Sequence, residues 1–164
     1  MNRLKLGIEP VPASFALATL AKLLPRPEWD AIRRGVYRRA RYRCEICGTD
    51  GRLHCHEVWH CNERTGYQWL MGFQAVCADC HAVKHLLNER DPRRVRHLGQ
   101  HFVTVNKTDA EAFRTHLRQA RRRQTELDAA PDRWQVSFGQ YAFRVPALKN
   151  REQRKKYLGL ERDS

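Results

Sequence analysis

Two short stretches, Cys44-Glu-Ile-Cys47-Gly48 and Cys77-Ala-Asp-Cys80-His81-Ala-Val-Lys-His85, decide how this 164-residue chain is read. Each C-x-x-C pair offers two thiolates from one turn, and two such knuckles give a tetrahedral zinc its four soft ligands with no open position. Zinc on Cys44, Cys47, Cys77 and Cys80 is therefore expected to be structural. A segment of about 40 residues buries too little apolar surface to fold alone, and zinc supplies on the order of 10 kcal/mol to such modules. Buried free thiols are the other reading. The doubled spacing in a basic chain favours the metal, and with it a reducing, cytoplasmic compartment. Cys55 and Cys61 have no partner at ligand spacing, and Cys55 reads as a core residue.

Between the knuckles, Gly48-Thr-Asp-Gly51 is turn chemistry, Leu53 to Trp59 a short strand and Tyr67 to Val76 a second extended segment. A helix from about Ala78 to Asn88 follows, which puts His81 and His85 one turn apart on one face. His56 sits on the first strand, so the zinc that folds the module also fixes three imidazoles. Three neutral nitrogens converging on one point bind a divalent cation and leave positions for water and a phosphate oxygen. Alternatively, His81 or His85 replaces a cysteine in the zinc shell or faces solvent. His54 shares the strand face of His56 and is either a reserve proton acceptor or a surface histidine. Glu57 is either a carboxylate that takes a proton from water or binds metal, or the partner of a nearby arginine.

Working outward, residues 1–25 read as an arm with one short helix capped by Ser14. A helix is expected over Glu28 to Ala40, with acids in its first turn and arginines near its end. Arg33, Arg34, Arg38 and Arg39 lie on its exposed face, and Arg41 and Arg43 follow. After Asp91-Pro92 come two further helices, Arg94 to Val105 and a second opened by a capping box at Thr108-Asp-Ala-Glu111 and running to about Leu127. A strand at Trp134 to Phe138 and a basic tail over 149–164 close the chain. With 31 Lys and Arg against 18 Asp and Glu, the formal charge is +13. Such a balance points to a polyanionic partner. No apolar run approaches the roughly 18–20 residues a membrane span needs.

The motifs together resemble the HNH endonucleases, the ββα-metal or His-Me finger nucleases, in their zinc-ribbon form. Cys44-Glu-Ile-Cys47-Gly48, Leu53-His-Cys-His56-Glu57 and Cys77-Ala-Asp-Cys80-His81-Ala-Val-Lys-His85 carry the resemblance. Trp29-Asp-Ala-Ile-Arg, Cys55-His-Glu-Val-Trp59 and Ala82-Val-Lys-His85 are similar to small stand-alone bacterial members. The resemblance implies an α+β fold: a ββα-metal core on a four-cysteine zinc ribbon over residues 26–90, flanked by helices, with a helical extension and short strand over 91–148. It also implies that His56, His81 and His85 ligate a catalytic divalent ion, Mg²⁺ or Mn²⁺, with Ni²⁺ or Zn²⁺ also suited to an all-histidine set. Glu57 stands where most members place the histidine general base, and Gly72 where many place the asparagine.

The function expected is metal-dependent DNA endonuclease activity, with Glu57 or His54 activating the attacking water. Arg33, Arg34, Arg38, Arg39, Arg41, Arg43 and Lys84 would contact backbone phosphates of double-stranded DNA, giving affinity and salt dependence without sequence reading. Each of these charges could equally be a solvated face. Double-strand cutting by one small site would call for a homodimer. The alternative function is a catalytically decayed zinc-ribbon module that binds nucleic acid. No aromatic platform for single strands is evident in the sequence.

Overall fold

The structure, a computed structural model, describes residues 4–13, 19–129 and 134–139. The Ser14 cap and the basic tail lie outside them. Among the described residues the chain is mixed α+β. It runs α1 (Leu20–Leu23), α2 (Arg26–Arg39), β1 (Leu53–Asn62), β2 (Tyr67–Cys77), α3 (Ala78–Lys84), α4 (Pro92–Asn106), α5 (Ala110–Asp128) and β3 (Gln135–Ser137). None of these helices is long and apolar enough to cross a membrane. The sheet order is β1-β2-β3, with β3 parallel to β2 in the register Tyr67↔Gln135 to Trp69↔Ser137.

Two compact units divide the chain. The first comprises Met1–Pro10, Val36–His56 and Gln74–Thr125. Its core gathers Leu6 and Ile8 from the arm, Val76, Val83 and Leu86 around α3, and Leu98 and Phe102 from α4, against which α3 packs. Completely burying a side chain such as Phe102 contributes about 1.5–3 kcal/mol. Helices α4 and α5 approach closely at Gly99, where a Cβ would stand 2.7 Å from Cε1 of Phe113. Only glycine fits that crossing without displacing the ring.

The helix ends show how local chemistry positions these elements. Asp91 caps α4 by accepting the N–H of Arg93 at 2.9 Å, with Pro92 opening the first turn. The cap of α5 is Asp109 and not the expected Thr108: its carboxylate accepts the N–H of Ala112 at 2.8 Å. Aspartate is at least as good a cap as threonine, and starting one residue later leaves Glu111 free to pair with Arg114 and Arg118. The helix expected to run to Asn88 ends at Lys84 and tightens into a single 3-10 turn over Leu86–Asn88. His85 still closes onto His81 O, so the two remain one turn apart.

The second unit comprises Val11–Gly35, Glu57–Phe73 and Glu126–Ser164. The turn between β1 and β2 is built by Asn62, whose side-chain oxygen accepts the N–H groups of Arg64 and Thr65. Trp29 packs edge-on to Phe73, and Trp59 edge-on to Phe138. On the hairpin, His60, Trp69 and Tyr67 form a row of near-parallel rings at centroid spacings of 5.6 and 5.5 Å. That row is not legible in the sequence, because it depends on the pairing of β1 with β2.

Candidate metal centres

The four cysteines of the paired knuckles converge in the first unit, their sulfurs all within 4.8 Å of one another. Cys47 Sγ and Cys77 Sγ lie 3.7 Å apart. The edge of a tetrahedron with Zn–S bonds of about 2.3 Å is about 3.8 Å, so the spacing suits zinc. None of the six cysteines is in a disulfide. Each knuckle turns tightly: Gly48 N–H returns to Cys44 O at 2.9 Å with Gly48 at φ +78°, a conformation that favours glycine. In the second knuckle the Cys80 N–H points at Cys77 Sγ, 3.4 Å away. Glu45 ties the first knuckle to β2, donating its backbone N–H to Ala75 O and taking the Ala75 N–H on its carboxylate at 2.6 Å. Burial, then the neighbouring sulfurs, pushes the Cys80 thiol up. A cluster of four cysteines so arranged could hold a structural metal ion.

The same knuckle places the histidines, since α3 starts at the third cysteine and carries His81, with His85 closing its end. His56, His81 and His85 each offer a nitrogen within 4.8 Å of the other two. His56 is 4% exposed, and its ring centroid stands 5.3 Å from that of His81 and 5.1 Å from that of His85. Burial, then nearby positive charge, lowers the pKa of His81 to about 3 and that of His85 to about 4. Both are thus neutral at physiological pH, with a lone pair to give. Three converging imidazole nitrogens fit a divalent transition ion. His54 is half-buried and stacks on His81 at 4.9 Å, so it joins the group and is no ordinary surface histidine.

Glu57 is not brought to these histidines. One residue along the strand from His56, its side chain leaves by the opposite face. There its carboxylate accepts the Leu20 N–H at 2.7 Å and the Trp59 indole N–H at 3.2 Å. Burial outweighs these bonds and raises its pKa to about 7. Lys84 is likewise not a free cation for phosphate. It is 5% exposed, with its ammonium paired to Glu9.

Glu9 is the residue that sequence reasoning missed. Its carboxylate bridges Lys84 Nζ and His56 Nε2, the latter at 2.7 Å. Burial works against its charge, but the hydrogen bond from His56 and the Lys84 ammonium overcome it and hold the Glu9 carboxyl below its ordinary value. The arm is pinned by backbone bonds: Glu9 N–H to Lys84 O at 2.9 Å and Ile8 N–H to His116 Nε2 at 2.9 Å. No spacing rule connects Glu9 to a histidine 47 positions away.

Of the six arginines expected to face phosphates, Arg33 is bonded to Asp30, Arg39 to Glu45 and Arg43 to Asp50. Arg34 donates to the Asp30 carbonyl. Arg38 and Arg41 are exposed.

Compared with family models, curated proteins and solved structures, the chain finds no match in any of the three.

Proposed function

We propose that the chain is a metal-dependent endonuclease that hydrolyses phosphodiester bonds in DNA, with β1, β2 and α3 as a ββα-metal unit on a four-cysteine zinc ribbon. The observation that carries this reading is the convergence of His56, His81 and His85 beside a cysteine cluster that anchors their helix. A module that only bound nucleic acid would have no use for a second, all-histidine donor set. His56, His81 and His85 would hold such an ion, which would supply Lewis acidity for phosphodiester hydrolysis.

The protein's own groups do the rest. His56, His81 and His85 hold the ion, the last two kept neutral by burial. His54, stacked on His81, is the proton acceptor for the attacking water in this reading, since Glu57 is engaged elsewhere. The exposed Arg38 and Arg41 and the net charge of +13 supply sequence-independent attraction to the phosphate backbone.

The test is plasmid cleavage by zinc-loaded protein with Mg²⁺, Mn²⁺, Ni²⁺ or Zn²⁺ added and EDTA as control, beside His56→Ala and His54→Ala proteins of matched zinc content. Cleavage only with added ion, lost in both variants, is expected. If no DNA form is cut under any ion while salt-sensitive DNA binding persists, the zinc-ribbon binding module is the correct reading.

A further inference from the structure

Glu9 belongs to none of the motifs above, yet it is in contact with the histidine cluster. We propose that Glu9 is a positioning carboxylate for the divalent-ion site: it takes the Nε2–H of His56 and so presents Nδ1 of His56 to the ion. The inference deepens the nuclease reading and rests on it for the presence of the ion.

The argument starts from the two nitrogens of one ring. A neutral imidazole has one N–H and one lone pair, and which nitrogen carries the proton follows from the hydrogen bonds its neighbours impose. An ionised carboxylate can only accept, so Glu9 Oε2 at 2.7 Å from Nε2 requires the proton on Nε2. Nδ1 is then the nitrogen left to ligate an ion. Histidines that bind metals commonly give their other N–H to a carboxylate in this manner, which locks the tautomer and the ring orientation and makes the ligand more basic.

Three further observations make the carboxylate a fitted part. Its second oxygen is held by Lys84, whose side chain is buried to 6% exposure, so the charge is balanced within the site. Its backbone N–H is bonded to the Lys84 carbonyl, on the last turn of the helix that carries His81 and leads into His85. The carboxylate itself is 34% exposed at the side chain and stands outside the set of nitrogens that lie within 4.8 Å of one another. That placement suits a group acting through His56 better than a fourth ligand. Lys84 and Glu9 thus form a strut from α3 to β1 that fixes His56 relative to the other two imidazoles.

The experiment has two readouts on the full chain with structural zinc in place. Long-range ¹H–¹⁵N spectra at pH 8, without added divalent ion, report the His56 tautomer. Calorimetry with Mn²⁺ and Co²⁺ reports binding at the second site. Wild type is expected to show the Nε2–H form and to bind one ion beyond zinc. Glu9→Ala should lose the tautomer preference and bind about 10–100-fold more weakly. Glu9→Gln, whose amide oxygen still accepts the Nε2–H, should recover part of both. An Nδ1–H tautomer in wild type, or equal affinity in wild type and Glu9→Ala, overturns the proposal. Equal losses in Glu9→Gln and Glu9→Ala with the tautomer unchanged would make Glu9 a direct ligand and also overturn it. Wild type that binds no second ion yet shows the Nε2–H tautomer sinks the nuclease reading's metal site and, with it, the positioning role of Glu9.

Discussion

His101 Nε2 lies 3.2 Å from the Sγ of Cys80, so helix α4 reaches the cysteine cluster through a histidine that is no member of either knuckle. Burial, the largest influence on it, holds the His101 imidazole below its ordinary value and therefore neutral. A neutral ring can donate its N–H to a zinc-bound thiolate and make that sulfur a firmer ligand. His101→Ala should leave the fold in place but weaken zinc retention by about 10–100-fold. Competition with a chromogenic chelator measures this, and unchanged release would show that the contact does not support the ion.

The first unit should depend on a zinc ion at the four cysteines, a site the cluster could supply. The apolar core around Val76, Val83 and Phe102 is small and is built directly on the second knuckle. Losing a contribution on the order of 10 kcal/mol exceeds the whole stability of most domains of this size. Chelation, or Cys77→Ser, is expected to abolish the cooperative thermal transition of this unit and to expose the amides of α3 to hydrogen exchange. A transition unmoved by complete zinc removal would contradict a structural role for the metal.

Glu57 should behave as a structural carboxylate. Its bond to the Leu20 N–H satisfies the first donor of α1, which has no side-chain cap of its own. Glu57→Ala leaves that donor and the Trp59 indole without their acceptor and should cost about 1–3 kcal/mol in urea unfolding. Glu57→Gln keeps an acceptor and should cost less. DNA cleavage per folded molecule should survive in the Gln variant, whereas a loss of several orders of magnitude would restore Glu57 as the base.

The arm should loosen in mild acid. His116 accepts the Ile8 N–H, stacks on Phe102, and is held by burial below the ordinary imidazole value of 6.5. Its folded pKa is thus below its unfolded one, and the unfolded chain binds more protons in the interval between them. The bond therefore contributes fully above about pH 6.5, and its contribution is lost as pH falls toward the folded value. His116→Gln, which accepts without titrating, should show a flatter stability profile than wild type between pH 7 and 5. Identical slopes in paired thermal melts would rule His116 out.

Phosphate attraction should concentrate on the arginines that carboxylates do not occupy. Arg38→Ala with Arg41→Ala should weaken binding to any duplex sequence and reduce the salt slope of log K by roughly 0.9 for each phosphate they cease to neutralise. Arg33→Ala, which breaks a 2.7 Å pair with Asp30, should change the slope less. Fluorescence anisotropy over a salt series distinguishes them.

Much of the first unit was legible because its parts announce themselves at short range. The cysteine spacing needs only two tight turns, and the i, i+4 spacing of His81 and His85 needs only a helix. The separation of Glu57 from His56 was also within reach, since neighbours along a regular strand face opposite ways. What could not be read was long-range. Glu9 sits in an irregular arm before Pro10, with no period to mark it, and its partners come from β1 and α3. Lys84 looked like one more surface cation because its charge says nothing of the carboxylate that buries it. The row of His60, Trp69 and Tyr67 spans two strands, and no linear pattern within either one shows it.

The pinning of the arm has a consequence for the order in which the protein is made. Lys5 and Leu6 donate to Asn106 Oδ1, and Ile8 to His116. On the ribosome, residues 5–9 are synthesised long before 106 and 116 emerge. The Glu9 bonds to His56 and Lys84 can therefore form once α3 has emerged, whereas those of residues 5–8 wait for α4 and α5. A nascent or truncated chain ending before α5 would keep the Glu9 bonds but lack the His116 anchor of Ile8, so the full attachment of the arm is a late event in biogenesis.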